Sequence, residues 1–337
     1  MSVAFAGVGW IAAVHGAAVD VIPGLEITAV ASRRPERAEE SARRLGARAM
    51  SYEELPGGAD GVVVCTPPAL HAPQALAALR AGAGVLVEKP LCTTLADADA
   101  LVAAEEAGGC IAYAENLVHA PIVRLALDHA SQLHGIDLLQ VQAVQSRPTW
   151  GDFLTEGWGG GVLFDLGVHP VAVALLLAAP ARPVEVRASL EGAPDHPVDE
   201  HAEVHLAFDS GLLARVVTSW RGDAPVWDAQ VSSPDGVVRL ELLPDLRLER
   251  NGVEVPLPPV ADGVVPQLEQ LGYVPQMEAF ALDLAHGRRP AVGAAFGRSV
   301  LDVVCGAYAS AGVGGAWVDL PFTGPRDRTP LELWRGS

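Results

Sequence analysis

Short apolar runs rich in Val, Ile and Ala recur through the first third of the chain, at residues 3–6, 27–31, 61–66, 84–87 and 110–114. Segments with helical periodicity lie between them, at 10–20, 35–45, 70–81 and 95–107, and a further one at 120–133 closes this half. Strand, helix and strand at this rhythm predict right-handed βαβ units and a parallel sheet covered on both faces.

The texture then changes. Runs at 138–146, 184–190, 202–208, 212–220, 227–232, 237–242 and 246–250 are separated by turn signals such as Asp209-Ser210-Gly211, Pro234-Asp235-Gly236 and Asn251-Gly252. These predict antiparallel meander strands. One helix is expected near 162–177 and two more at 267–286 and 296–311, before a Pro-rich tail. The second half therefore reads as α+β, with a division into domains 1–118 and 119–337.

Composition narrows the function classes. The chain has 337 residues, half of them hydrophobic, and a net charge of -18 from 41 acidic against 23 basic side chains. With no basic block, this balance repels phosphate backbones and anionic surfaces, so neither nucleic acid nor membrane is an expected partner. The first residues have no cationic segment ahead of an apolar one, and the most apolar stretch, 162–181, is interrupted by Asp165, His169 and two prolines. Four cysteines without metal-type spacing read as reduced core thiols, which makes a cytoplasmic location the expectation. His196, His201 and His205, with the acids among them, fit an exposed turn and the strand after it, and no metal site is expected there.

Lys89 is the only lysine among the 23 basic side chains. Where arginine supplies every other positive charge, a lone lysine points to a task for a compact, rotatable ammonium that can lose its proton. It stands in Val87-Glu88-Lys89-Pro90, just past an expected strand, on the edge where open α/β sheets bind ligands. The same edge carries Thr66-Pro67-Pro68, and both loops would face the nicotinamide half of a cofactor.

Gly7-Val8-Gly9-Trp10-Ile11-Ala12 follows the first strand and opens the first helix, as a dinucleotide-binding fingerprint does. Gly7 would allow the tight turn and Gly9 the approach of a pyrophosphate. At the end of the second strand, where a carboxylate would hold a ribose 2′-hydroxyl, Ser32 stands instead, followed by Arg33, Arg34 and Arg37. Without a repelling carboxylate, and with guanidinium groups suited to a phosphate, this predicts NADP, with NAD as the alternative. In the second half, Asp165 and His169 are four residues apart, so on one continuous helix they would share a face about one turn apart. Such a pair suits general acid-base chemistry, and a buried structural pair is the alternative.

With these motifs in order, the chain resembles the Gfo/Idh/MocA family of oxidoreductases. The resemblance rests on the glycine run with His15, on Thr66-Pro67-Pro68 with His71, on Glu88-Lys89-Pro90, and on Gly160-Gly161 through Asp165-Leu166-Gly167-Val168-His169. It implies an N-terminal Rossmann domain with a doubly wound parallel sheet. It also implies a C-terminal α+β domain whose large, mostly antiparallel sheet often forms a homodimer or homotetramer. The activity implied is hydride transfer between NAD(P) and the carbinol or ketone carbon of a sugar, polyol or related small molecule. Lys89 would hold the reacting oxygen, His169 would exchange its proton, and Asp165 would orient substrate or histidine. Asn116 matches the family's asparagine near cofactor and substrate.

Two departures stand out: Val118 where many members carry arginine, and Ala172 where many dehydrogenases carry aspartate. With Trp150, Phe153 and Trp158 nearby in sequence, they suggest a less hydrophilic or larger substrate than a simple polyol. A nucleotide-sugar ketoreductase and a non-catalytic dinucleotide-binding sensor are the competing readings.

Overall fold

The computed structural model describes residues 1–261 and 263–336. The chain forms two compact units. The first opens with β1 (Ser2–Ala6), α1 (Trp10–Asp20), β2 (Glu26–Ala31), α2 (Pro35–Leu45), β3 (Arg48–Met50), β4 (Gly61–Val64), α3 (His71–Arg80), β5 (Gly84–Glu88), α4 (Leu95–Glu106), β6 (Ile111–Ala114) and α5 (Asn116–His119). Its six strands are all parallel, in the order β3-β2-β1-β4-β5-β6. The order reverses between β1 and β4, and the crevice at that switch point is where such sheets take ligands. The central strands are buried on both faces, which is why they read as continuous Val, Ile and Ala rather than as alternation.

The second unit holds α6 (Pro121–Ala130), β7 (Leu138–Ser146), α7 (Val162–Asp165), α8 (Val168–Ala178), β8 (Pro183–Ala193), β9 (His196–Phe208), β10 (Leu213–Ser219), β11 (Arg221–Ser233), β12 (Gly236–Leu243), β13 (Arg247–Arg250) and β14 (Val253–Glu254). After α9 (Pro266–Gln270) and α10 (Tyr273–His286), the chain ends with α11 (Ala294–Gly312), β15 (Val318–Asp319) and α12 (Pro330–Arg335). The nine-stranded sheet runs β14-β13-β12-β11-β7-β10-β9-β8-β15. It is antiparallel except at its centre, where β7 pairs in parallel with β10. That departs from a plain meander: β10 and β11 are consecutive in sequence yet pair with opposite edges of β7.

Two expected helices are broken, each for a local reason. The helix expected at 120–133 is present as α6 and begins at Pro121, which holds Ala120 extended (φ -61°, ψ 126°). The segment at 267–286 breaks at Gly272, whose φ of +86° ends α9 and starts α10. The segment at 162–177 breaks at Gly167, with a bend of 44° between Glu156–Asp165 and α8. Several short pieces, β3 and α12 among them, had no periodic signal. Among the described residues no single helix is long and apolar enough to cross a membrane.

The division of the chain also differs from a single cut after residue 118. The passage out of the first unit comes after Ala120, and the described residues of 260–298 return to it. The reason is the apolar stripe of α10: Val274, Met277 and Phe280 join the core of Val3, Phe5, Val63 and Leu86. A side chain at Gly84 would meet Leu284 at 2.3 Å, so the start of β5 is shaped to receive α10.

In the second unit, α6, α7 and α8 pack on one face of the sheet. Glu203 of β9 is gripped by Arg215 of β10 (2.5 Å) and by His205 (2.9 Å). The Arg215 hydrogen bond, working against partial burial and helped by His205, holds the Glu203 carboxyl down from 4.5 to about 2. A depressed carboxylate stabilises the fold above its unfolded pKa and loses that contribution as the pH falls through the folded value. Denaturant unfolding should therefore show a loss of stability between about pH 4.5 and 2 that is smaller in an Arg215→Ala variant. An identical acid profile in the variant would refute it.

Candidate active site

Gly7 follows β1, and its N–H donates to the Ala31 carbonyl at the end of β2 (2.9 Å), while the Cys65 N–H after β4 donates to Ala6 (2.7 Å). The ends of three strands are thus laced together at the switch point. Gly7 has φ +106°, and an added Cβ would stand 2.6 Å from the Cys65 carbonyl oxygen. Only glycine fits there. At Gly9 the requirement is different: a Cβ would meet nothing within 4 Å, so the space over this residue is open. Gly9 is also the N-cap of α1, with no side-chain cap and no acidic residue in the first turn. A helix start without a side-chain cap, beside open space over Gly9, fits the pyrophosphate of a dinucleotide. Trp10 is exposed beside this turn and Ile11 is half-buried.

Ser32 follows β2, and its hydroxyl accepts from the Arg34 N–H at 3.2 Å. Arg33, Arg34 and Arg37 are exposed, and among the described residues none forms an ion pair with Glu36, Glu39 or Glu40. Tyr52, after β3, is linked to Arg33; burial pushes its hydroxyl up while Arg33 opposes the shift. Sequence reasoning missed this tyrosine because nothing local to residue 52 ties it to residue 33.

The loops after β4 and β5 are joined by one buried ring. His71 Nε2 lies 2.7 Å from the Thr66 carbonyl and Nδ1 lies 2.8 Å from the Pro90 carbonyl. Burial lowers the His71 pKa, while the Thr66 and Pro90 carbonyls, which favour an N–H on each ring nitrogen, oppose the shift. The Thr66 hydroxyl donates to Gln74 (2.7 Å), and Pro67 is exposed. Glu88 stands at the end of β5 with one carboxylate oxygen 2.7 Å from His15 Nε2 and the other accepting from the Lys89 N–H at 2.9 Å. Burial alone would push this carboxyl up. The hydrogen bond and charge of His15, with Lys89 and His71, outweigh it and hold the group below the ordinary carboxylate value. The backbone of the sole lysine is thus tied to a buried carboxylate. Asn116 is buried and donates to the Leu271 carbonyl (2.7 Å), which links α5 to the returning segment.

Asp165 and His169 lie in the second unit and are both buried. They do not share one helix: Asp165 ends α7 and His169 is in the first turn of α8, with Gly167 between. A Cβ on Gly167 would stand 2.5 Å from the Leu163 carbonyl, and this close approach lets the Gly167 N–H reach back to the Val162 carbonyl (2.9 Å). The expected one-turn spacing on a continuous helix is therefore corrected to a bend. The His169 ring lies against Trp227 of β11, with centroids 5.5 Å apart and planes tilted by 36°. No signal in the sequence singles out Trp227.

The aromatics before the glycine run divide. Trp150 is 56% exposed, whereas Phe153, which touches both Trp150 and Trp158, packs against the core of Val162, Leu166 and Trp220. Asp195, His196 and Glu200 do draw together, but Arg147 lies 3.0 Å from both carboxylates, so a guanidinium already supplies the positive charge there.

Comparison with known proteins agrees with this layout. Residues 1–116 match the model of an oxidoreductase family with an NAD-binding Rossmann fold, and residues 135–237 match the GFO/IDH/MocA C-terminal domain. The D-xylose 1-dehydrogenase (NADP(+)) 2 of Haloferax volcanii is 32% identical over 86% of this chain and 91% of its own length. The chain belongs to the Gfo/Idh/MocA family of oxidoreductases. The 4-carboxy-2-hydroxymuconate-6-semialdehyde dehydrogenase of Sphingobium is 34% identical over 119 residues, 33% of this chain, and the match spans only 36% of that relative. Among solved structures, GenD2 from gentamicin A biosynthesis in complex with NAD is 25% identical, with a TM-score of 0.83 over 95% of this chain and 96% of its own.

At the dinucleotide turn, this Gfo/Idh/MocA chain has a strict local requirement at Gly7. Gly7→Ala should destabilise the protein by about 1–3 kcal/mol, from the positive φ together with the clash at Cys65. It should also weaken NAD(P)H binding by roughly tenfold or more. Thermal unfolding and fluorescence titration check both, and wild-type affinity in a folded variant would refute the turn's role.

Proposed function

We propose that this protein is an NADP-dependent dehydrogenase or reductase acting on an alcohol or ketone carbon of a sugar-like small molecule. The observation that carries the reading is the sole lysine at the carboxyl end of β5, its backbone held by buried Glu88, on the sheet edge that also bears the Gly7–Gly9 turn. A bound nicotinamide supplies the hydride donor or acceptor. Gly7, Gly9, Trp10 and Ile11 would hold the pyrophosphate end of the cofactor. Thr66, Pro67, His71, Glu88, Lys89 and Asn116 would frame its nicotinamide end.

Lys89 holds the reacting oxygen, where an ammonium donor stabilises developing alkoxide charge. His169 takes that oxygen's proton during oxidation and returns it during reduction, and Asp165 orients the histidine or the substrate. Ser32, Arg33, Arg34 and Arg37 take the 2′-phosphate: three exposed guanidinium groups, without carboxylate partners among the described residues, suit a phosphate better than a bare ribose hydroxyl. The NADP(+) in the name of the Haloferax relative supports the same preference. Val118 and Ala172, both buried, and Trp227 against His169 favour a substrate with fewer hydroxyls than a simple polyol.

Lys89→Ala should lower turnover by roughly a hundredfold or more while leaving NADPH affinity within about twofold. A wild-type protein that turns over no alcohol or ketone would instead support a sensor. Ser32→Asp places a carboxylate where the 2′-phosphate is expected, and should weaken NADPH relative to NADH by roughly tenfold or more. Side-by-side fluorescence titrations read this, and unchanged NADPH preference would overturn the phosphate assignment.

A further inference from the structure

The glycine run 159–161 offers no side chain to anchor the turn that leads into Asp165 and His169, yet that turn is held firmly from elsewhere in the second unit. Asp199, wholly buried near the start of β9, accepts from the Leu163 N–H through one carboxylate oxygen (2.9 Å). Its other oxygen accepts from the Gly161 N–H (2.9 Å) and from the Tyr308 hydroxyl of α11 (2.5 Å). The Gly161 N–H lies equally close to the Tyr308 oxygen (2.9 Å). The fit excludes any side chain at Gly161, where a Cβ would stand 2.2 Å from the Asp199 carbonyl oxygen. At the other end of the run, the Leu331 N–H of α12 donates to the Gly159 carbonyl (2.9 Å).

From this anchor a backbone relay leads to both candidate residues. The Asp165 N–H donates to the Gly161 carbonyl (2.9 Å), the Leu166 N–H donates to Val162 (2.9 Å), and the His169 N–H donates to Leu166 (3.2 Å). Because Gly167 breaks the helix, no continuous α-helix fixes Asp165 relative to His169. Their placement depends on where residues 161–163 are held.

We propose that Asp199 and Tyr308 are positioning residues for proton transfer: together they clamp the Gly161–Leu163 turn and so set where Asp165 and His169 stand. The proposal rests on the reaction assigned to those two residues above. Asp199→Asn turns a donor toward either the Leu163 N–H, which then loses its acceptor, or the Gly161 N–H, which then keeps only the Tyr308 oxygen. Tyr308→Phe is milder, removing one donor to the carboxylate and the second acceptor of Gly161, and it guards against a failure of Asp199→Asn to fold. Neither residue belongs to the unit that carries the dinucleotide turn.

The test uses the full-length protein, with three readouts on each folded variant. Amide hydrogen exchange over 161–169 should speed up at least tenfold relative to the rest of α8. The kcat should fall at least tenfold, with the pH profile of its acid-base limb displaced. NADPH affinity should stay within twofold of wild type. Unchanged exchange over 161–169 in both variants overturns the clamp, whether or not turnover is seen. Faster exchange with kcat and pH profile unchanged overturns the link to proton transfer. A wild-type protein without turnover removes the functional reading on which the proposal rests and overturns it, and that failure is visible before any variant is made.

Discussion

A carboxylate taken out of water is tolerated only when donors meet its lone pairs, and in each unit of this protein such a group holds a loop that carries candidate chemistry. Glu88 in the first unit is met by His15 and by the Lys89 N–H. Asp199 in the second is met by two backbone N–H groups and a tyrosine hydroxyl. In both cases the donors include the backbone of a loop that carries candidate chemistry, so the cost of burying the charge is offset only while that loop keeps its shape. Such loops are rigid because an alternative conformation would strand a buried charge, a penalty larger than the net gain from an ordinary hydrogen bond.

The two carboxylates respond differently to the same burial. Glu88 lies beside histidines and a lysine, and their charge and hydrogen bonding keep it below the ordinary value. Asp199 has only neutral donors, and burial wins, raising its pKa although Leu163, Tyr308 and Gly161 pull the other way. Neighbouring cations, rather than hydrogen bonds alone, decide the direction. A third buried carboxylate, Glu105, accepts from the Ala294 N–H at the start of α11 and pairs with Arg289, which uses the same physics to fix the returning segment of the first unit.

Glycines mark where backbone or helix must come close. Gly7 admits the Cys65 carbonyl, Gly161 admits Asp199, and Gly84 admits Leu284 of α10. Gly9 alone among these faces open space, and it stands at the uncapped start of a helix. The contrast separates glycines that serve packing from one that leaves room for a ligand, a distinction that a motif of spaced glycines cannot make.

Much of this was legible in the order of residues. Alternation of apolar runs with helical periodicity specified the parallel sheet, because side-chain period and turn chemistry are properties of a few consecutive residues. The glycine run after β1, the lone Lys89, the arginines after Ser32 and the spacing of Asp165 and His169 are likewise features of a few consecutive residues. The bend between that pair was not, since Gly167 acts through a contact with Leu163. Only the tertiary structure decided that the described residues of 260–298 return to the first unit, that β7 pairs in parallel with β10, that Trp227 lies against His169, and that Asp199 and Tyr308 meet at Gly161. The last three groups are separated by 38 and 147 residues of chain. Their meeting follows from how sheet and helices pack, and no local pattern of side chains encodes a contact made at that distance.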